Sequence, residues 1–205
     1  VVMTVRTGEL PPALATSLNV PVPRHYWRSL VYDRYVSTGW VSNGTVEQTL
    51  PPNSPLIPGL LKHHRSLILQ VNMEQPLGRL LWSGALYSSD VPLSVEWRVR
   101  PTDDLFADQT ALLQADIFAI RSPVASYRAD VYISDASVYD LRGASVDYPE
   151  EIRNRYLPLS IGTPQRVLDL ARTITQGVTN PYDKAKAIER YLRQNYPYDI
   201  TAPAP

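Results

Sequence analysis

The distribution of proline constrains the fold of this chain more than any other feature of its sequence. The 205 residues include 19 prolines, many of which cluster in segments 10–23 and 50–58. Proline fixes φ and has no backbone N–H donor, so both segments are expected to break any helix or central strand. The first part of the chain must therefore be assembled from short elements that lie between these clusters.

Short runs of β-favouring residues occupy the sequence around the proline clusters. Two of them alternate between apolar and polar residues, through Leu93, Val95 and Trp97 in one run and through Tyr127 and Val131 in the other. This period of two is typical of strands with one buried face. The predicted strands lie at 1–6, 26–36, 66–73, 93–100 and 126–133. Many short strands with Pro- and Gly-rich connections are typical of a β-sandwich or an open barrel.

The pattern changes near residue 135, where helix signals replace strand signals. A short helix is expected to begin at Pro149 and to end before Pro158. Thr163 and Pro164 predict the start of a second helix. Its apolar stripe consists of Val167, Leu170, Ala171 and Ile174.

A third helix is predicted after Asn180 and Pro181, with Asp183 in its first turn. Its expected inner face consists of Ala185, Ile188 and Leu192. The sequence therefore predicts a mostly β, β-sandwich-like domain over residues 1–135, followed by an α-helical segment over residues 136–205. The fold class is α+β overall.

Composition excludes several kinds of function. The chain has no cysteine, which rules out a disulfide framework, a thiolate metal site and a thiol nucleophile within it. Its 20 basic and 20 acidic residues cancel, and the basic residues are scattered, so we expect no nucleic-acid partner. No segment approaches the roughly 20 apolar residues that a membrane helix needs. The start at Val1 and the Pro-rich end lead us to expect a piece of a longer protein.

The histidines and clustered carboxylates lack the spacing of a known site. His25, His63 and His64 are expected in solvated loops, because adjacent loop histidines rarely converge on one ion. The carboxylates Asp103, Asp104 and Asp108 do not follow the spacing of a calcium loop and are expected in a solvated turn. Ser83 is not in a G-x-S-x-G motif. We therefore assign no catalytic, metal-binding or cofactor-binding residue and expect no cofactor.

The segment 26–40, YWRSLVYDRYVSTGW, is the richest in aromatic residues. Neither of its two alternating faces is purely polar, which predicts a core strand that is covered on both sides. Asp33 is expected to accept hydrogen bonds from an arginine or a backbone N–H. Gly39 is expected to close a three-residue hairpin loop after Ser37 and Thr38, because glycine adopts a left-handed conformation at little cost.

Two groups of residues carry a family resemblance. The first group is Tyr26, Trp27, Arg28, Tyr32, Asp33, Tyr35, Gly39 and Trp40. The second is Pro181, Tyr182, Lys184, Ala185, Tyr191, Leu192 and Tyr198. Together they resemble the bacterial membrane-bound transglutaminase-like proteins of the papain-like superfamily. The first group is similar to a signature in the extracytoplasmic region ahead of that family's catalytic core, and the second is similar to the helices that open the core. We expect these residues to be structural.

The resemblance implies an extracytoplasmic region, periplasmic or on the cell surface, of a membrane-anchored parent. The family's Cys–His–Asp triad forms an acyl-enzyme from an amide. Its cysteine lies after the strand near Tyr198, so none of the triad positions is in this chain. The implied role is non-catalytic positioning of a transglutaminase-like core. The implied partners are the remainder of the polypeptide, including its transmembrane helices, and a peptide or cell-envelope substrate.

Two alternatives remain. Exposed tyrosines and tryptophans on a β-scaffold could stack on sugars, which would make this chain a glycan-binding or cell-wall-binding module. Burial of Trp27, Tyr32, Trp40 and Trp97 would argue against that function. The other alternative is a structural spacer that binds no ligand.

Overall fold

Regular structure changes from strands to helices along this chain. A computed structural model describes residues 3–20, 22–36, 39–42, 44–57, 62–98, 117–159 and 162–197. The chain divides into two units, Val1–Asp135 and Ala136–Pro205, which we call the β-unit and the helical unit. Strands dominate the first and helices the second, which confirms the predicted α+β class, mostly β with a C-terminal helical segment.

The described part of the β-unit contains short strands and one short helix, α1 (Pro12–Ser17). The strands are β1 (Met3–Arg6), β2 (Trp27–Arg28), β3 (Arg34–Val36), β4 (Gly39–Val41), β5 (Val46–Leu50), β6 (His64–Met73), β7 (Trp82–Ser83), β8 (Ala85–Ser89), β9 (Leu93–Trp97), β10 (Ile117–Arg121) and β11 (Ser126–Ser134).

Two antiparallel sheets organise these strands. The larger has the order β1-β6-β11-β8, and the smaller has the order β10-β9-β5. The longest pairing joins β11 to β6, with Ser126 opposite Asn72 and Ser134 opposite His64. Two further pairs, β2 with β7 and β3 with β4, form separate two-stranded ribbons. These ribbons carry much of the aromatic segment 26–40.

One hydrophobic cluster joins the inner faces of both sheets. Its strand residues include Leu67, Leu69 and Val71 of β6, Tyr127, Ala129 and Val131 of β11, Leu93, Val95 and Trp97 of β9, and Ile117 and Ile120 of β10. The buried faces predicted for the alternating segments 93–100 and 126–133 are therefore confirmed for their described residues. Each fully buried aliphatic side chain contributes about 1.5–3 kcal/mol, so this shared core holds the sheets together in a sandwich-like arrangement.

The proline-rich segment 10–23 contains α1, so the expectation that its prolines break any helix is wrong. Pro12 occupies the first position of this helix, where its missing N–H would have no partner inside the helix. Ala15 of α1 is buried. The cluster of prolines therefore limits the length of the helix but does not prevent its start.

The helical unit contains α2 (Val138–Gly143), α3 (Glu150–Tyr156), α4 (Gln165–Ile174) and α5 (Pro181–Asn195) among its described residues. The helices expected after Pro149, Pro164 and Asn180 are confirmed. Pro164, which was expected to be the first helical residue, lies at the N-cap of α4, one position before Gln165. Helix α2 was not predicted.

The apolar stripes of α4 and α5 remain accessible to solvent in this unit. Val167, Leu170 and Leu192 are exposed, and none of the described side chains between 136 and 197 is buried. The predicted inner face of α5 is therefore wrong for Ala185 and Leu192, which are exposed, whereas Ile188 is half-buried. Over the described residues, no helix is both long and apolar enough to span a bilayer.

Candidate functional site

The aromatic segment 26–40 is not the continuous, two-sided core strand that its sequence predicted. It forms β2, β3 and part of β4, and an isolated bridge joins Leu30 to Ala119 between them. Each of these short strands pairs with a single neighbour, β2 with β7 and β3 with β4. The rings are exposed, by 78% for Tyr26, 38% for Trp27, 44% for Tyr32, 41% for Tyr35 and 63% for Trp40.

The β3–β4 hairpin presents a pair of exposed rings. Tyr35 lies opposite Trp40 in the register, and their ring centroids are 5.4 Å apart in an edge-to-face arrangement. Gly39 has φ of +145°, which supports its predicted role in the turn. Val36 pairs with Gly39, so two residues connect the strands rather than the three expected. Those two residues, Ser37 and Thr38, lie outside the described part of the chain.

A buried ion pair anchors the chain between these rings. Asp33 Oδ2 lies 3.0 Å from Arg98 Nε, and the two side chains are only 2% and 3% exposed. Arg98 also donates to Ser42 Oγ at 3.1 Å and to the carbonyl of Val31. Asp33 therefore lies beside an arginine as an ion pair, but the expected hydrogen bonds are absent, because neither carboxylate oxygen has a hydrogen-bond donor among the described residues. The pair holds the backbone that carries Tyr32, which packs edge-to-face on Phe118 at 5.9 Å.

A second polar cluster brings together residues that are far apart in the sequence. Glu9 Oε2 lies 2.6 Å from His25 Nε2, and Glu9 Oε1 accepts from Arg65. Burial raises the pKa of Glu9, but the hydrogen bonds from Arg65 and His25 outweigh it, so the pKa lies below its usual value. The His25 ring also contacts Trp27 edge-on at 6.4 Å.

His25 is therefore not the solvated loop histidine that the sequence predicted, since its side chain is only 13% exposed. The expected exposure is confirmed for His63, whereas His64 is half-buried, with Nδ1 2.7 Å from the carbonyl of Lys62. No local sequence signal could have revealed the His25 cluster, because its partners come from three separate segments. The carboxylates Asp103, Asp104 and Asp108 lie outside the described residues.

Two cavities open on either side of His25. One of about 370 Å³, which we call the basic cavity, is lined chiefly by Arg24, His25, Tyr26, Arg28, Arg65 and Ser83. The other, of about 570 Å³, is lined by Glu9, His25 and Trp27 together with prolines of the 10–23 segment. Because the signature residues Tyr26, Trp27 and Arg28 line these cavities, the β-unit combines cationic groups with accessible rings.

The floor of the basic cavity depends on a close backbone approach. Gly84 has φ of +68°, and a Cβ atom built on it would lie 2.4 Å from the carbonyl oxygen of Tyr132. Only glycine permits this contact without displacing β11. Ser83, beside it, is buried and pairs with Trp27 across β7 and β2.

The signature residues of the helical unit lie at the start and near the end of α5. Pro181 is the first helical residue, and the side chain of Asn180 accepts from the backbone N–H of Asp183 at 2.8 Å. Arg142 of α2 donates to both carboxylate oxygens of Asp183, at 3.1 and 3.0 Å from Nε. This hydrogen bonding lowers the pKa of Asp183, with Arg142 as the larger cause and Asn180 as the next.

The other residues of this signature do not form a site. The rings of Tyr191 and Tyr196 lie 6.4 Å apart. Tyr182 is half-buried, whereas Lys184 and Ala185 are exposed on α5. Tyr198 lies outside the described residues. Within the described ranges, no group of three or more His, Asp or Glu side chains is arranged to hold a metal ion.

No protein-family model, no curated protein and no solved structure matches this chain. The resemblance to the transglutaminase-like family therefore remains a prediction that rests on the residues quoted above.

Proposed function

We propose that this chain is a non-catalytic region of a membrane-anchored, transglutaminase-like protein, and that it positions the catalytic core outside the membrane. One observation carries the proposal. The helical unit has amphipathic helices in the order of the family resemblance, yet the apolar stripes of α4 and α5 are accessible through Val167, Leu170 and Leu192. Exposed apolar surface of this kind marks an interaction site, and the remainder of a transglutaminase-like core would cover it.

Cysteine labelling tests this proposal, because the chain has no cysteine of its own. The variant Val167→Cys is compared in the 205-residue chain and in a longer protein that includes the sequence encoded after it, with that sequence's own cysteines replaced by serine. We expect maleimide to label Val167→Cys rapidly in the chain and at least ten-fold more slowly in the longer protein.

The matched control is Arg190→Cys, since Arg190 is an exposed cation of α5 outside the apolar stripe. It should react at the same rate in both proteins. Equal labelling rates for Val167→Cys in both proteins would contradict coverage by a core. A spacer that binds nothing would give that same result.

A second candidate function is glycan binding by the β-unit. The observation that favours it is the exposure of the ring pair Tyr35 and Trp40 on a hairpin. Sugar rings stack on aromatic faces of this kind. Of the four rings whose burial would argue against glycan binding, Trp27, Tyr32 and Trp40 are exposed and Trp97 is buried.

A glycan array tests this candidate. Binding should be lost in Tyr35→Ala and in Trp40→Ala. The control is Tyr139→Ala, which removes a strongly exposed ring from the helical unit. Absence of binding by the unmodified chain, or unchanged binding by both hairpin variants, would exclude this surface.

A further inference from the structure

We propose that the basic cavity of the β-unit binds the carboxylate or phosphate group of an acidic saccharide. This inference rests on the second candidate function, glycan binding, and specifies a charge and a site for it. It does not depend on the resemblance to the transglutaminase-like family. The residues that carry it are Arg24, Arg28 and Arg65, together with the ring of Tyr26.

The charge balance of the cavity favours an anion. Three arginines line it, and one carboxylate, Glu9, pairs with Arg65 and contacts His25. Among the described residues, Arg24 and Arg28 have no acidic partner. Arg24 and Arg28 thus place two cationic residues in the lining of one concave site, in a chain whose formal net charge is zero. Guanidinium groups bind carboxylates and phosphates through strong, charge-assisted hydrogen bonds.

The Glu9–His25–Arg65 cluster fixes one wall of this site. Glu9 and His25 have side chains that are 16% and 13% exposed, and their contact of 2.6 Å joins the two ends of the proline-rich segment between them. Arg65 forms an ion pair with Glu9, which holds its side chain in place near the start of β6. The cavity is thus built on strands and an internal ion pair, which reduces the entropy lost when a ligand binds.

The shape and lining of the cavity favour a saccharide over other anions. A volume of about 370 Å³ suits a small ligand. Tyr26 offers the most exposed ring of the aromatic segment, and Ser83 and Ser134 add hydroxyl groups to the lining. Beyond His25, the second cavity of about 570 Å³ includes Trp27. An oligosaccharide can therefore place its anionic group at the arginines and a further ring against Trp27.

Calorimetric titration of the whole chain tests the proposal with defined probes. Trigalacturonate and glucose 6-phosphate supply a sugar with a carboxylate and with a phosphate. Fully methyl-esterified trigalacturonate supplies the same rings without charge. We expect saturable binding of at least one acidic probe, weaker binding at higher NaCl, and binding of the ester that is weaker by about ten-fold or more, the equivalent of one strong polar contact.

Single variants locate the binding. Arg24→Gln and Arg28→Gln, made separately, should each weaken the binding of the acidic probe by about ten-fold or more. Arg79→Gln is the matched control, because Arg79 is exposed on the same unit and does not line the cavity; its affinity should be unchanged. Both cavity arginines are exposed, and thermal unfolding of each variant checks that the fold is kept.

Several results would overturn the proposal. The proposal is wrong if neither acidic probe binds, if the acid and its ester bind equally well, or if both cavity variants bind as strongly as the unmodified chain. Arginine-dependent binding of hexaglutamate or of phosphatidylglycerol vesicles, without binding of the acidic sugars, would assign the cavity to a peptide or to a lipid surface instead. Neutral-glycan binding that Trp40→Ala abolishes would uphold the second candidate function even if this inference fails.

Discussion

At the scale of single residues, Gly84 is the backbone position with the least tolerance. We predict that Gly84→Ala destabilises the chain by about 2–5 kcal/mol, because a left-handed alanine costs about 1–2 kcal/mol and the clash with β11 adds about 1–3 kcal/mol. Gly78 has the same φ of +68°, but a Cβ atom added to it would meet nothing within 4 Å. Gly78→Ala should therefore cost only about 1–2 kcal/mol. Urea unfolding measures both, and equal losses would contradict the close contact of Gly84.

The Asp33–Arg98 pair is expected to stabilise the fold and not to take part in chemistry. Both side chains are buried, so removing one leaves the other charged and without its main partner. We predict that Asp33→Ala lowers the free energy of unfolding by about 3–5 kcal/mol. The double variant Asp33→Ala/Arg98→Met should lose less than the sum of the single variants. Additive losses in urea unfolding would show that the two side chains are not coupled.

The ionisation of Tyr127 is expected to lower the stability of the β-unit at alkaline pH. Burial raises its pKa from 10.0 to about 12, against a smaller lowering by its hydrogen bond with Leu81. Because the folded pKa is raised, the neutral phenol contributes stability that is complete below pH 10.0 and is lost as pH rises to about 12. The loss is up to about 2.7 kcal/mol. Between these pH values, the free energy of unfolding should fall less in Tyr127→Phe than in the unmodified chain. An equal fall in both proteins would contradict this prediction.

The role of a residue could be predicted from the sequence only where its partner is close in the sequence, or where its chemistry allows one kind of partner. Asp33 was expected to accept from an arginine or a backbone N–H, but the sequence could not identify Arg98 as its partner. Glu9, His25 and Arg65 meet only through the sheet topology. Exposure of Tyr26 and Trp40 also depends on how many strands cover them, which the sequence does not state.

At the scale of elements, alternation succeeded where one face of a strand is apolar. Segments 93–100 and 126–133 have a clear inner face, and their described residues contain β9 and most of β11. Segment 26–36 has rings and charges on both faces, which predicted one doubly covered strand. It instead forms the separate short strands β2 and β3. Helix α2 could have been found, because Ser137 and Asp140 form a capping box with the required spacing.

The start of α5 should depend on pH. Arg142 and then Asn180 lower the pKa of Asp183 below 3.8. Its contribution to stability is therefore present above pH 3.8 and is lost as pH falls through the lower, folded-state pKa. We predict that helical circular dichroism decreases over this acidic range and that Asp183→Asn removes part of the decrease. Arg142→Gln should act in the same direction. An unchanged acid transition in both variants would contradict this role of Asp183.

At the scale of the whole molecule, the sequence predicted the α+β class, because proline placement, strand alternation and helix caps all indicate the same change near residue 135. It did not predict which surfaces stay open. Aromatic rings in the β-unit and apolar stripes in the helical unit were both expected to be covered, and both are accessible. A chain that follows local rules within its elements yet leaves such surfaces open is expected to act through contacts with other molecules or domains.

The last prediction concerns activity. Transglutaminase-like acyl transfer needs a thiolate nucleophile, and this chain has no cysteine. We expect the purified chain to incorporate no dansylcadaverine into casein above the level of a heat-inactivated sample, with a commercial transglutaminase as the positive control. Incorporation that follows this chain through two orthogonal purification steps, and that a thiol-directed inhibitor does not abolish, would require a nucleophile other than cysteine. The Ser83→Ala variant would then be the first to measure, since Ser83 lies beside Gly84 in the lining of the basic cavity.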